Sequence, residues 1–172
     1  MSDIEQRLHR LEAIEEIRAL KARYLASCDA KDPATMRSCF CDGPVTIDFG
    51  RVGVYETADA LVDIFRQLGC NEWIVEMHHG VNPRIDVTSA DRASGKWGLH
   101  YQMINTRDLT LTQLGAVYED EYRRTAQGWK IAASKCIVTS TLVIQLSNDA
   151  VKTIFAGRQA PAGVDDPSKQ AA

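Results

Sequence analysis

Met77-His78-His79-Gly80-Val81-Asn82-Pro83-Arg84-Ile85-Asp86-Val87 marks the point where the chain turns from helix to sheet. Trp73-Ile74-Val75 leads into it with aromatic and β-branched residues, a strand signal. Two histidines interrupt that apolar run. Gly80-Val81-Asn82-Pro83 then reads as a bend, so strands are expected over 73–82 and 84–88. Downstream, strands are expected over 92–106, 110–125 and 129–143. Ser89-Ala90-Asp91 and Thr125-Ala126-Gln127-Gly128 supply the turns.

Upstream the period changes. Ile4, Leu8, Leu11, Ile14 or Ile17, Leu20, Tyr24, Leu25 and Cys28 recur at helical spacing. They predict one helix over 3–30, opened by a Ser2/Glu5 capping box, with a polar face of Glu, Arg and Lys. Asp32-Pro33 starts a short second helix to about Cys41, stopped by Asp42-Gly43-Pro44. Val45 to Phe49 alternates as a strand, and Gly50 to Gly53 reads as a loop. Thr57 caps a third helix over 58–68, with Ala58, Leu61, Val62, Phe65 and Leu68 on one face and Gly69 at its end. Helices first and an antiparallel meander after them imply α+β: a curved sheet wrapped around helices. One domain is expected over 1–157, closing with a short helix near Asn148 to Ala156. A Pro/Gly/Asp/Ser/Gln tail follows over 158–172.

The 172 residues suffice for one core, and 45% hydrophobic with 25% charged residues is ordinary for a globular chain. A net charge of −3 gives no basic stripe for nucleic acid. No apolar run reaches the ~20 residues of a membrane span. The N-terminus lacks a signal peptide's basic and apolar regions, so a cytoplasmic location is expected. Five cysteines, an odd number without a Cys-x-x-Cys pair, argue against a disulfide framework or zinc site. They read as reduced, small apolar side chains.

His78 and His79 are adjacent, so on a strand only one faces inward. The bland reading is a satisfied structural histidine. The functional one is a neutral imidazole acting as general base, its tautomer fixed by a carboxylate. Asp29, at the end of the first helix's apolar face, is the leading carboxylate, or else a helix-end residue bound to backbone. Tyr24 is a core aromatic or a hydroxyl donor at the pocket mouth. On strand 92–106, Trp97, Leu99, Tyr101 and Met103 share one face, and Lys96, Gly98, His100, Gln102 and Ile104 the other. The expectation is that the first face packs on a neighbouring subunit while His100 looks toward the helices. A metal site of His78, His100 and a carboxylate is the lesser alternative. No Gly-rich phosphate loop and no nucleophile elbow occur. The residues therefore point to cofactor-free acid–base chemistry, or to binding alone.

Several blocks, in order, carry a resemblance. They are Ile17 to Tyr24 with Asp29, Asp32-Pro33-Ala34-Thr35-Met36, Cys39-Phe40, His78 to Ile85, Ser89 to Ala93, Gly115 to Arg124 and Gly128 to Ile131. Over roughly residues 8–145 the chain resembles the SnoaL-like proteins of the nuclear transport factor 2-like superfamily. The resemblance implies a cone-shaped α+β barrel of curved mixed sheet around three N-terminal helices, with a pocket between the sheet and the first helix. Its nearest guides are the scytalone dehydratases, bile-acid 7α-dehydratases and hexachlorocyclohexane dehydrochlorinases, which are cofactor-free. Asp29 and His78 fall on their aspartate–histidine positions. Tyr24 matches a tyrosine of the bile-acid enzymes, and His100 a pocket histidine of the scytalone enzymes. Departures occur at Phe49, Ala116 and Tyr118 relative to the scytalone enzymes, and at Ser134 where the dehydrochlorinases carry arginine.

The resemblance thus implies a lyase, with His78, Asp29, Tyr24 and His100 catalytic. Phe49, Phe65, Gln102, Tyr118 and Ser134 would bind substrate, with no cofactor and no metal. A hydrophobic polycyclic hydroxy-ketone or enone, steroid-like or aromatic, is the expected substrate. An isomerase, a polyketide cyclase or a non-catalytic binding or assembly subunit are the alternatives. A homo-oligomer is expected, a trimer before a dimer.

Overall fold

The structure is a computed structural model that describes residues 2–147. The expected helix near Asn148 to Ala156 and the tail over 158–172 lie outside the described residues. The first helix, α1, spans Asp3–Asp29. Its capping box is formed as the sequence predicts: Glu5 N donates to Ser2 Oγ (3.3 Å) and Ser2 N to Glu5 Oε2 (2.7 Å). Helix α2 spans Pro33–Ser38, capped by the Asp32 carboxylate, which accepts from Ala34 N and Thr35 N. It stops short of the expected Cys41, because Cys39 and Phe40 leave the helix to bond across to Ile131.

Strand β1 (Pro44–Asp48) is followed by a 3-10 turn at Gly50–Val52, where only a loop is expected, and by strand β2 (Val54–Thr57), which the sequence reading lacks. Helix α3 spans Ala58–Leu68 with its Thr57 cap in place. Strands β3 (Ile74–Val87), β4 (Arg92–Asn105), β5 (Thr110–Thr125) and β6 (Gly128–Gln145) complete the chain. The two expected strands 73–82 and 84–88 are one strand, with a bulge between Val81 and Arg84. Pro83 has no N–H for the ladder, and Asn82 (φ 51°) tolerates the left-handed backbone the bulge needs.

The sheet order is β2-β1-β6-β5-β4-β3, parallel only where β1 meets β6. The curved mixed sheet is a cone-like α+β fold with two free edges, β2 and β3, rather than a closed barrel. α1 lies against β3 and fills the concave side. Ile17, Leu20, Tyr24, Leu25 and Cys28 are buried there against Trp97, Leu99, Tyr118 and Ile131. Each large apolar side chain so buried contributes roughly 1.5–3 kcal/mol. Gly80 marks the close approach: a Cβ there would stand 2.7 Å from Leu25 Cδ1.

Two expectations are corrected. The face of Trp97 and Leu99 does not await a neighbouring subunit. Both side chains are buried under α1, and the Trp97 indole N–H donates to Tyr122 Oη (2.9 Å). Lys96 and His100 are exposed instead. Burying an indole and a leucine outweighs burying a lysine and a histidine, which decides the parity of β4. Lys21, read as part of α1's polar face, is fully buried, with its Nζ 2.8 Å from Asp120 Oδ2. No helix among the described residues is long and apolar enough to cross a membrane.

Candidate functional site

The site is built where α1 ends against the edge strand β3. The helix closes with paired backbone bonds, Asp32 N to Ser27 O (2.9 Å) and Lys31 N to Cys28 O (3.2 Å). This is a Schellman closure, whose left-handed position usually holds glycine. Here it holds Lys31 at φ 57°. The closure leaves Asp29, the last residue of α1, facing β3.

The Asp29 carboxylate holds His78 twice. Both of its oxygens accept the His78 backbone N–H at 3.1 Å, and Oδ1 lies 2.6 Å from His78 Nδ1. On an edge strand, a backbone N–H pointing away from the sheet has no neighbouring strand to bond, and Asp29 supplies that acceptor. An ionised carboxylate only accepts, so the proton of this short bond sits on Nδ1 and the Nε2 lone pair is free. His78 is mostly buried, its side chain 12% exposed.

Beside it, Tyr101 of β4 stands directly across from His78 in the ladder, with ring centroids 4.7 Å apart and edge-on. Tyr101 Oη donates to Glu76 Oε1 (2.8 Å), and Lys31 Nζ donates to Glu76 Oε2. Burial, then the Glu76 charge, pushes the Tyr101 phenol well above its usual range. Burial likewise pushes the Cys28 thiol, at the same helix end, up to about 12, with the charges of Glu76 and Asp29 adding to it.

A cleft of about 450 Å³ runs along this seam, lined by Arg18, Lys21, Ala22, Leu25, Ala26 and Asp29 of α1, by His78 to Val81, and by Trp97. It is open to solvent, and its lining is more apolar than polar. Clefts of about 630 and 670 Å³ elsewhere are larger, but neither contains Asp29 or His78. Convergent titratable groups pick the site here, and size does not.

The other expected residues divide. Tyr24 is buried in the core, edge-on to Phe40 (5.6 Å) and Tyr118 (6.5 Å), and burial raises its phenol pKa. Among the described contacts none joins Tyr24 to His78 or Asp29. Phe49 stacks edge-on to Tyr118 (5.8 Å), and Tyr118 is buried beneath Lys21. Phe65 is half-buried on α3, its ring over Gly69. Ser134 is buried and donates to Asp120 Oδ1 (2.7 Å).

His100 and Gln102 share β4's outer face, opposite Trp97 and Tyr101. His100 is exposed beside His79, with ring centroids 6.5 Å apart. The expected placement of His100 and Gln102 in the pocket is therefore corrected by strand parity. His78 and His100 point to opposite faces, so the alternative metal triad does not assemble. Among the described residues no group of three or more His, Cys, Asp or Glu side chains converges as metal ligands would. Sequence reasoning missed Tyr101, Glu76 and Lys31. The alternation Trp97, Leu99, Tyr101 carried the signal for the first.

Residues 9–135 match the model of the SnoaL-like domain. The fold is also shared with solved structures. A hexachlorocyclohexane dehydrochlorinase, LinA type 2, is 20% identical with TM-score 0.74, covering 89% of this chain and 99% of that one. A LinA type 3 from Novosphingobium barchaimii LL02 is 21% identical with TM-score 0.71, covering 80% and 93%. A scytalone dehydratase-like protein from Novosphingobium aromaticivorans DSM 12444 is 17% identical with TM-score 0.72, covering 89% and 98%. At these identities the likeness is one of fold.

Proposed function

The chain belongs to the SnoaL-like domain family, and from that premise we propose that it is a cofactor-independent lyase of dehydratase type. The observation that carries the reading is the 2.6 Å contact between His78 Nδ1 and Asp29 Oδ1. It leaves Nε2 as a general base whose ring cannot turn away, because Asp29 is itself held by the His78 backbone N–H. The lyase-type neighbours in fold support the reaction class.

In the proposed step, Nε2 takes a proton from the carbon next to a carbonyl. The electron pair moves into the enolate, returns, and expels the β-hydroxyl. The imidazolium returns the proton to that hydroxyl, so water leaves and the base is regenerated. Asp29 stabilises the transient imidazolium without being protonated itself. Such a pair supplies about 10²–10⁴-fold of rate. The substrate proposed is a hydrophobic polycyclic hydroxy-ketone or enone, its rings lying along Leu25, Val81 and Trp97 of the cleft.

The test is turnover of polycyclic β-hydroxy ketones followed by mass spectrometry. Loss of water is expected, with kcat falling by about 10²–10⁴-fold in His78→Ala and Asp29→Asn. Unchanged turnover in both variants removes the base assignment. A product of unchanged mass transfers the same dyad to an isomerase or cyclase. A homo-oligomer is also proposed. The far end of β6 exposes apolar side chains on both faces of the sheet, Leu142 and Ile144 on one and Val138 and Val143 on the other, which suits a second copy. Light scattering tests it, with a trimer expected and a monomer refuting it.

A further inference from the structure

Tyr101 stands against His78 and is backed by Glu76 and Lys31, a polar group that general-base chemistry does not require. Burying a carboxylate to 13% exposure costs free energy unless it is paired. Lys31 supplies the pairing, and it does so from a left-handed backbone position where a side chain costs about 1 kcal/mol. Strain kept where glycine would relieve it points to a use for the side chain.

The use follows from donor arithmetic. Glu76, ion-paired with Lys31, is ionised and only accepts. The one proton of the Tyr101 hydroxyl is committed to Glu76 Oε1 at 2.8 Å. Tyr101 Oη therefore presents lone pairs and no proton to whatever approaches. A halide or ether oxygen gains nothing from such an oxygen, whereas an O–H does.

We propose that Tyr101, held by Glu76 and Lys31 beside His78, is an acceptor subsite for a substrate hydroxyl, so that this site takes hydroxylated rather than halogenated compounds. The proposal rests on the lyase reading only for the name of the group that leaves. The subsite itself is a matter of binding. Tyr101 and Glu76 are specificity and positioning residues in this scheme, and His78 remains the base. The raised pKa of the Tyr101 phenol agrees with it, since the phenol stays protonated and keeps its bond to Glu76.

The test uses two probes of one ring system, 2-naphthol and 2-chloronaphthalene, with Kd measured by NMR shift titration of the full chain. Wild type is expected to prefer the naphthol by about tenfold, the worth of one well-made hydrogen bond. Tyr101→Phe should bring the ratio to within about twofold. Glu76→Gln should lower it too, because its amide can donate to Tyr101 Oη and occupy the acceptor. Either variant keeps the ring or the chain length in place, so the two guard each other against simple misfolding. His78→Ala, which destroys the proposed base, should leave the preference standing within about threefold. A wild-type ratio near one, no binding of the naphthol, or an unchanged ratio in Tyr101→Phe overturns the subsite. Loss of the preference in His78→Ala also overturns it and assigns the hydroxyl to the imidazole. Failure of the lyase reading would appear separately, as absent turnover with the preference intact.

Discussion

Replacing Asp120 with alanine should come close to unfolding this protein. Its carboxylate is fully buried, accepts hydrogen bonds from Tyr122 Oη and Ser134 Oγ, each at 2.7 Å, and is ion-paired with Lys21 Nζ at 2.8 Å. The Lys21 ammonium, equally buried, makes no aligned hydrogen bond at all. The charge of Asp120 and the face of Tyr118, 3.6 Å from Nζ, compensate it, with Tyr24 further off at 5.1 Å. Removing one partner of a buried pair costs about 3–5 kcal/mol. Two hydroxyls losing their acceptor add about 1 kcal/mol each. The sum, roughly 5–7 kcal/mol, rivals the whole stability of a typical domain. Lys21→Met removes the cation but leaves Asp120 with two hydroxyl donors, so about 3 kcal/mol is expected. Lys21→Met with Asp120→Asn leaves no charge behind and should cost less than either charge-stranding change alone. Urea unfolding followed by tryptophan fluorescence measures all of these as one double-mutant cycle, with Asp120→Asn as the second single variant. Additive effects, or an Asp120→Ala cost under about 1 kcal/mol, would refute the argument that this pair is mutually dependent.

Three further outcomes are expected. Lys31→Ala loses the Glu76 pair and keeps the left-handed strain, whereas Lys31→Gly loses the pair and relieves the strain. Glycine should therefore be the more stable of the two by about 1 kcal/mol in urea melts, and equal stability would deny the strain. Gly80→Ala would bring a Cβ to 2.7 Å from Leu25 Cδ1. The side chain must yield and tilt α1 off β3, costing about 1–3 kcal/mol and moving Asp29 from His78, visible as loss of the downfield Nδ1 proton by NMR. Cys28 rises from an ordinary 9.0 to about 12, so between those values the unfolded chain holds fewer protons than the folded one. Its contribution is complete below pH 9 and lost as pH climbs toward 12, up to roughly 4 kcal/mol across the interval. Cys28→Ala should flatten the alkaline limb of a stability–pH curve, and an unaltered limb would contradict the burial of the thiol.

Legibility followed locality. The capping box, the Asp32-Pro33 start and the Thr57 cap are decided within four residues, and all three stand where the sequence places them. The Asp29–His78 meeting depends on distant residues: the helix spacing offers Asp29 as the carboxylate, and only the resemblance chooses His78 over His79. The parity of β4 was readable from Ala93, Trp97, Leu99 and Tyr101. Two glycines, Gly95 and Gly98, blank one position on each face, so the two faces look alike in composition and the alternation alone turned His100 inward. β2 escaped because four residues at a free edge, Val54 to Thr57, bury almost nothing and so leave no pattern. Lys21 escaped for the opposite reason. Its compensating charge sits on β5, and no local rule places a lysine inside a core.

The position of the dyad at an edge strand follows from the same economy of backbone groups. In an inner strand, the His78 N–H would be consumed by a neighbour and an aspartate would have only the ring to hold. At the edge, one carboxylate meets both the backbone donor and Nδ1, which fixes the residue and its side chain together. That arrangement needs a helix end delivered to the edge, and Gly80 lets α1 lie close enough to deliver it. Lys31 and Glu76 repeat the pattern two residues along on each element, in opposite directions. The seam is thus clamped twice by opposite charges, carboxylate from helix to strand and ammonium from helix to strand. Cutting the outer clamp should loosen the inner one: Glu76→Gln is expected to raise hydrogen exchange at the His78 amide, and an amide equally protected in both forms would mean that the two clamps act independently.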